Sequence, residues 1–175
     1  MEGDDKTEIL TDLEAGRKAL ADALAGVSEE KARRSPGPGR WSVLECMEHV
    51  ALAEAYMLAA IEGAARAEAP VVNIVREKVI MRRGMDRSKR VEAPDVAKPT
   101  GRFSTLREAM DHFTASRTRT FQLVEHYSED PRARVAHHPL AGTVNCYEML
   151  LIMTMHPKRH TIQIKEILEA VSPKQ

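Results

Sequence analysis

Seven histidines stand at positions 49, 112, 126, 137, 138, 156 and 160. An imidazole buried among aliphatic side chains is costly unless something satisfies its nitrogens, so the rings that matter are those on core-facing stripes. His156 and His160 are four residues apart, one helical turn above the other. They share a face with Met149, Met153, Ile164 and Ile167. This spacing is how a single helix presents two nitrogens to one cation. Taken alone it is weak, because H-x-x-x-H arises by chance in many helices. His49 adds to it, lying on a stripe with Cys46, Ala53, Tyr56 and Ala60, whose small members leave room beside the ring. Three neutral imidazoles fill three corners of a tetrahedron and leave the fourth for water or substrate. The plainer alternative, a hydrogen-bonded core or boundary histidine, explains each ring singly better than it explains the set. His49, His156 and His160 are therefore the candidate metal ligands, and the ion is divalent.

Other side chains stand around this set. Glu54 falls among Val50, Met57 and Ile61 on an aliphatic face, where a carboxylate can orient a ligand histidine or act as a base on bound water. Pairing with a Lys or Arg is its more ordinary role. Gln163 neighbours His156 and His160 and can hydrogen-bond an imidazole. Cys46, one turn before His49, is a candidate for the metal's surroundings, although a lone helical cysteine is more often a small buried hydrophobe. Tyr56 reads as core packing. His137 and His138 sit before the last helix, and nothing in the sequence places them near the other three. The basic run Arg82, Arg83, Arg87, Lys89 and Arg90 can meet an anionic substrate. Glu77, Asp86 and Glu92 dilute it toward an ordinary solvated loop.

Four long segments with a 3.6-residue apolar period must position these residues. The first spans about residues 6–25 and stops at Gly26, before Ser35-Pro36-Gly37-Pro38-Gly39, which cannot be helix. The second opens at the Ser42-Val43-Leu44-Glu45 capping box, with Trp41 preceding it, and runs to about Arg66. The third starts at a second box, Thr105 to Glu108, with the stripe Leu106, Met110, Phe113, Thr120, Val124 and Tyr127. The fourth opens at Thr143 or Asn145 and ends before Pro173. The connection over residues 67–103 is too long to lack structure, and a short helix fits within 71–81. No strand-like alternation is visible. The expected fold is all-α, a four-helix bundle with a long connection between helices 2 and 3, and residues 1–175 are expected to form one domain.

Bulk composition narrows the function. Aromatics are 4% of the chain, so Leu, Ile, Val, Met and Ala must fill the core. Lys plus Arg and Asp plus Glu are both 26, which argues against nucleic acid as a partner. No apolar run suits a membrane span, and no secretory leader is visible. Cys46 and Cys146 have no C-x-x-C spacing, in keeping with a reducing cytoplasm.

At this point the sequence resembles the DinB/YfiT-like four-helix metalloproteins. Gly39-Arg40-Trp41-Ser42-Val43-Leu44-Glu45-Cys46-Met47-Glu48-His49-Val50 is similar to the family's W-S-x-x-E/D-x-x-x-H signature. His138-Pro139-Leu140-Ala141-Gly142-Thr143 is similar to its loop into the last helix, and His156-Pro157-Lys158-Arg159-His160-Thr161-Ile162-Gln163-Ile164 to its H-x-x-R-H-x-x-Q-I ending. The resemblance implies zinc or nickel on the three histidines, a small-molecule substrate, a low-molecular-weight thiol as one such substrate, and a homodimer. The activity it implies is that of a thiol-cofactor-dependent transferase or a hydrolase. The alternative is a non-catalytic, stress-related or interaction bundle with a structural or empty site. Pro157 departs from the family's pattern. It cannot donate to the Met153 carbonyl, and a proline inside a helix costs about 3 kcal/mol. It also disfavours helical geometry at His156, so a bend between the two rings, or a new helix starting at Pro157, is expected.

Overall fold

The computed structural model describes residue 1 and residues 3–70 and 72–172. Four long helices form the bundle: α1 (Gly3–Leu24), α3 (Val43–Glu62), α5 (Leu106–His126) and α6 (Cys146–Ala170). Two short helices, α2 (Glu29–Arg33) and α4 (Ile74–Gly84), lie in the connections. α1 packs on α5 and α6, and α3 packs on the same two, so α1 and α3 occupy opposite corners.

Local chemistry sets the starts. Ser42–Glu45, Thr105–Glu108 and Asn145–Glu148 each close a reciprocal capping box, satisfying backbone donors that a helix start leaves free. Asn145, not Thr143, opens the last helix. Within the long connection, α4 begins at an Asn73 cap and continues to Gly84, past Met81. The position at 71, and Pro173 beyond the last helix, lie outside the described residues. Gly84 is needed where α4 crosses α6, since a Cβ there would stand 2.6 Å from the Met155 Cβ.

A three-stranded antiparallel sheet was not expected from the sequence. β1 (Ala65–Arg66), β2 (Arg134–His138) and β3 (Gly142–Asn145) pair in that order. The strands hold two to five residues, too few for alternation to register. Pairing of Ala65 and Arg66 with Val135 and Arg134 also explains why α3 stops at Glu62 rather than Arg66. Tyr56 donates to the His137 carbonyl at 3.2 Å, fastening β2 to α3.

The apolar interior is in two parts. One gathers Ile9, Leu13, Leu58, Ile61, Met149 and Leu150, and the other Leu20, Val43, Met47, Phe113, Ile164 and Ile167. Between them the buried residues turn polar: His49, Glu54, Ser116, Arg117, Thr120, Thr154 and His160. Among the described residues no helix is long and apolar enough to cross a membrane.

Candidate metal centre

The three candidate rings meet inside this polar layer. His49 comes from the second turn of α3, while His156 and His160 come from successive turns of α6. One ring nitrogen from each lies within 4.8 Å of the other two. The Nε2 atoms of His49 and His156 are 3.1 Å apart. Two nitrogens on one tetrahedral zinc are separated by about 3.3 Å, given a Zn–N bond of ~2.0–2.1 Å. His49 and His160 are buried, and His156 is half-buried.

Hydrogen bonds fix which nitrogens face inward. His49 Nδ1 lies 2.8 Å from the Ala97 carbonyl, which can only accept, so this nitrogen carries the proton and Nε2 keeps its lone pair. His160 Nδ1 lies 2.9 Å from Gln163 Oε1. That oxygen also accepts from Arg87 Nη1 at 3.1 Å. A guanidinium only donates, so His160 Nδ1 is a donor too. Such outer partners orient metal-binding imidazoles generally. His156 differs, because its buried Nδ1 has no hydrogen-bond partner among the described residues. Cys46 Sγ stands 3.6 Å from His160 Nδ1, forming part of the wall. Burial pushes its thiol up to about 12.

Electrostatics keep the rings neutral. Burial holds His49 below the ordinary imidazole range, partly opposed by its bond to Ala97. Burial, and then the neighbouring rings, hold His156 and His160 well below that range. A neutral imidazole is the form that binds a metal. His138 adds a smaller part of the depression at His156. Its Nδ1 accepts from the Leu140 and Ala141 amides, closing the β2–β3 turn.

Two residues absent from the sequence reading of the site place His49. Glu48, 1% exposed, accepts the amides of Thr100, Gly101 and Arg102 at 2.8–3.1 Å. This anchors the end of the long connection against α3 and brings the Ala97 carbonyl to His49. Trp41 packs against the same ring, with centroids 5.0 Å apart. No local signal marks Glu48, since its partners lie 52 to 54 residues on.

Glu54 is not brought to the histidines. Its two oxygens accept from Arg117 Nε and Nη2, both at 2.8 Å, and Oε1 also accepts from Thr120 at 3.2 Å. Both oxygens are thus engaged by α5 rather than by a ligand ring. Arg117, fully buried, had a sequence signal: it lies on the apolar stripe between Phe113 and Thr120. Of the basic run, Arg87 pairs with Glu166 and Gln163, and Arg90 donates to the Gly39 carbonyl.

α6 is continuous through Pro157, with no break between the two rings. The Met153 carbonyl, which loses its helical donor at Pro157, accepts from Arg117 Nη2 at 3.1 Å.

Comparison with known proteins agrees with this architecture. The sequence model of the DinB superfamily matches residues 12–164. An uncharacterised Bacillus subtilis protein, YuaE, is 24% identical over 148 residues, covering 85% of this chain and 90% of its own length. The crystal structure of TT2238, a four-helix bundle protein, superposes with a TM-score of 0.58 at 22% identity, over 92% of this chain and 98% of that one. YfiT from Bacillus subtilis, described as a probable metal-dependent hydrolase with an unusual four-helix bundle topology, gives 0.58 at 14% identity, over 95% and 87%.

Proposed function

The chain belongs to the DinB superfamily, and we propose that within it the protein is a metal-dependent enzyme whose divalent ion is held by His49, His156 and His160. One observation carries this reading: three neutral imidazoles from two helices converge to within 4.8 Å, two of them with Nδ1 hydrogen-bonded away from the cluster. Nε2 of His49 and Nε2 of His156 lie 3.1 Å apart, a contact that one ring N–H bridges in the metal-free protein and that is close to the spacing of two nitrogens on one tetrahedral ion. The bound ion would supply Lewis acidity, lowering the pKa of a water or thiol so that a nucleophile exists at neutral pH.

The protein's own part is positional. Ala97 and Gln163 hold two rings in one tautomer, and Trp41 and Cys46 wall the site. Hydrolysis of a small substrate, or transfer to or from a low-molecular-weight thiol, is the reaction class that follows. Zinc or nickel as the ion, a homodimeric state and a cytoplasmic location belong to the same proposal. A non-catalytic bundle is the second reading, favoured by one observation: the carboxylate best placed along α3, Glu54, is held by Arg117.

Metal analysis of protein purified without added metal is the first test. The wild type should carry near one equivalent of zinc or nickel and His160→Ala near none. Protein that stays metal-free after both ions are supplied overturns the proposal. Metal-loaded protein inert toward ester, amide and thiol-transfer panels supports the second reading.

A further inference from the structure

His156 is the one ring of the three whose Nδ1 has no hydrogen-bond partner among the described residues. His49 is steered by Ala97 and His160 by Gln163, but the place of His156 is set by the backbone that carries it. That backbone is irregular in its chemistry. Pro157 follows at once and has no N–H, so the Met153 carbonyl lacks its helical donor. An unpaired carbonyl in a buried helix is unfavourable, and a helix with a missing rung tends to bend at that point.

The missing donor comes from another helix. Arg117 of α5 gives Nη2 to Met153 O at 3.1 Å and Nη1 to Leu13 O of α1 at 2.9 Å, while Nε and Nη2 grip Glu54 of α3 at 2.8 Å. One guanidinium therefore ties all four bundle helices together, beside the turn that the proline interrupts. From α1, Gly16 receives the pyrrolidine ring: a Cβ there would meet Pro157 Cβ at 3.5 Å and the Thr154 carbonyl at 3.4 Å. The turn of α6 before His156 is thus held from α5 and backed by α1.

We infer that Arg117, held by Glu54, is a positioning residue for the metal centre. By supplying the donor that Pro157 lacks, it sets the path of α6 over the turn from Met153 to His156, and so the approach of His156 to His49 and His160. This inference rests on the metal reading above, and its test separates the two.

The test is a cycle of four proteins: wild type, Pro157→Ala, Glu54→Leu with Arg117→Met, and all three changes together. Removing Glu54 and Arg117 as a pair avoids stranding one buried charge. Cobalt(II) is the probe, read by its d–d absorption and by its dissociation constant, with urea unfolding of the metal-free proteins alongside. In the proline background, loss of the pair should weaken cobalt binding by about 10- to 100-fold and shift the absorption bands. In the Pro157→Ala background the restored backbone N–H can take the Met153 carbonyl, and the same loss should be about threefold or less. Equal weakening in both backgrounds, or a fall in stability with unchanged affinity and spectrum, overturns the positioning role and leaves the metal site standing. A wild type that develops no cobalt spectrum overturns the metal reading, and this inference with it. Should the pair deletion not fold, Arg117→Lys takes its place: a lysine keeps a charge beside Glu54 but cannot span Glu54 and Met153 together, and Pro157→Ala should again restore affinity.

Discussion

Two polar clusters interrupt the apolar interior at neighbouring levels of α3 and α6, and they follow opposite rules. At Glu54–Arg117 the groups satisfy one another: carboxylate oxygens accept from the guanidinium and Thr120, and the remaining guanidinium bonds go to the carbonyls of Leu13 and Met153. At the histidines, the nitrogens with protein partners are the outward ones, and the inward ones face each other. A cluster that closes on itself holds helices together. A cluster whose outer nitrogens are tied to protein and whose inner ones converge has the form that the proposed ion would complete. Burial alone would not separate the two, since both are shut into the interior; the direction of the hydrogen bonds does.

The comparison is most easily broken at the ion pair. Arg117→Leu should destabilise the metal-free protein by about 3–5 kcal/mol in urea unfolding, because Glu54 is left as an unpaired buried charge, and Glu54→Leu added to it should recover most of the loss. A loss below about 1 kcal/mol would deny the pair its structural role. Next comes His160→Ala. Zinc at a hundred times its dissociation constant should stabilise the wild type by about 2.7 kcal/mol, seen as a rise in Tm, and should leave the variant unmoved. A variant that still responds to zinc would show the ion binding elsewhere.

Gln163→Leu sharpens the contrast more finely. Without its Oε1, His160 loses the acceptor that fixes its tautomer, and zinc affinity by calorimetry should fall about tenfold, or ~1.4 kcal/mol. An unchanged affinity would mean that packing alone holds the ring. The smallest effect concerns Cys46, whose thiol is buried and pushed up to about 12. Iodoacetamide should modify it no faster than the protein opens, and fast labelling of the folded protein would move Cys46 from wall to reactant.

Much of the frame was legible because its causes are local. The three capping boxes each lie within four residues, and the His156–His160 pair within one turn. His49 could be set beside them from its stripe. What stayed hidden depends on helix rotation and on distant partners. Glu54 reads equally well as facing a histidine or an arginine until α3 and α5 are docked. Pro157 reads as a break in the helix, because the donor that repairs it is Arg117, 36 positions from the Met153 carbonyl. The small sheet escaped notice for a different reason, its strands being too short to show a pattern.

The anchoring of Thr100, Gly101 and Arg102 on Glu48 divides the longest connection into halves with different freedom. From Asp86 to Pro94 most residues are exposed and touch the bundle mainly through single side chains. From Asp95 to Arg102 the chain is tied down, and its carbonyl at Ala97 bears on His49. Length changes beyond Arg90 in the first half, which leave the Arg87 bond to Gln163 in place, should disturb the histidines little, whereas one added residue between Ala97 and Thr100 should pull that carbonyl out of register. An insertion scan scored by zinc uptake would trace this boundary, and with it where the chain is free to diversify around a fixed centre.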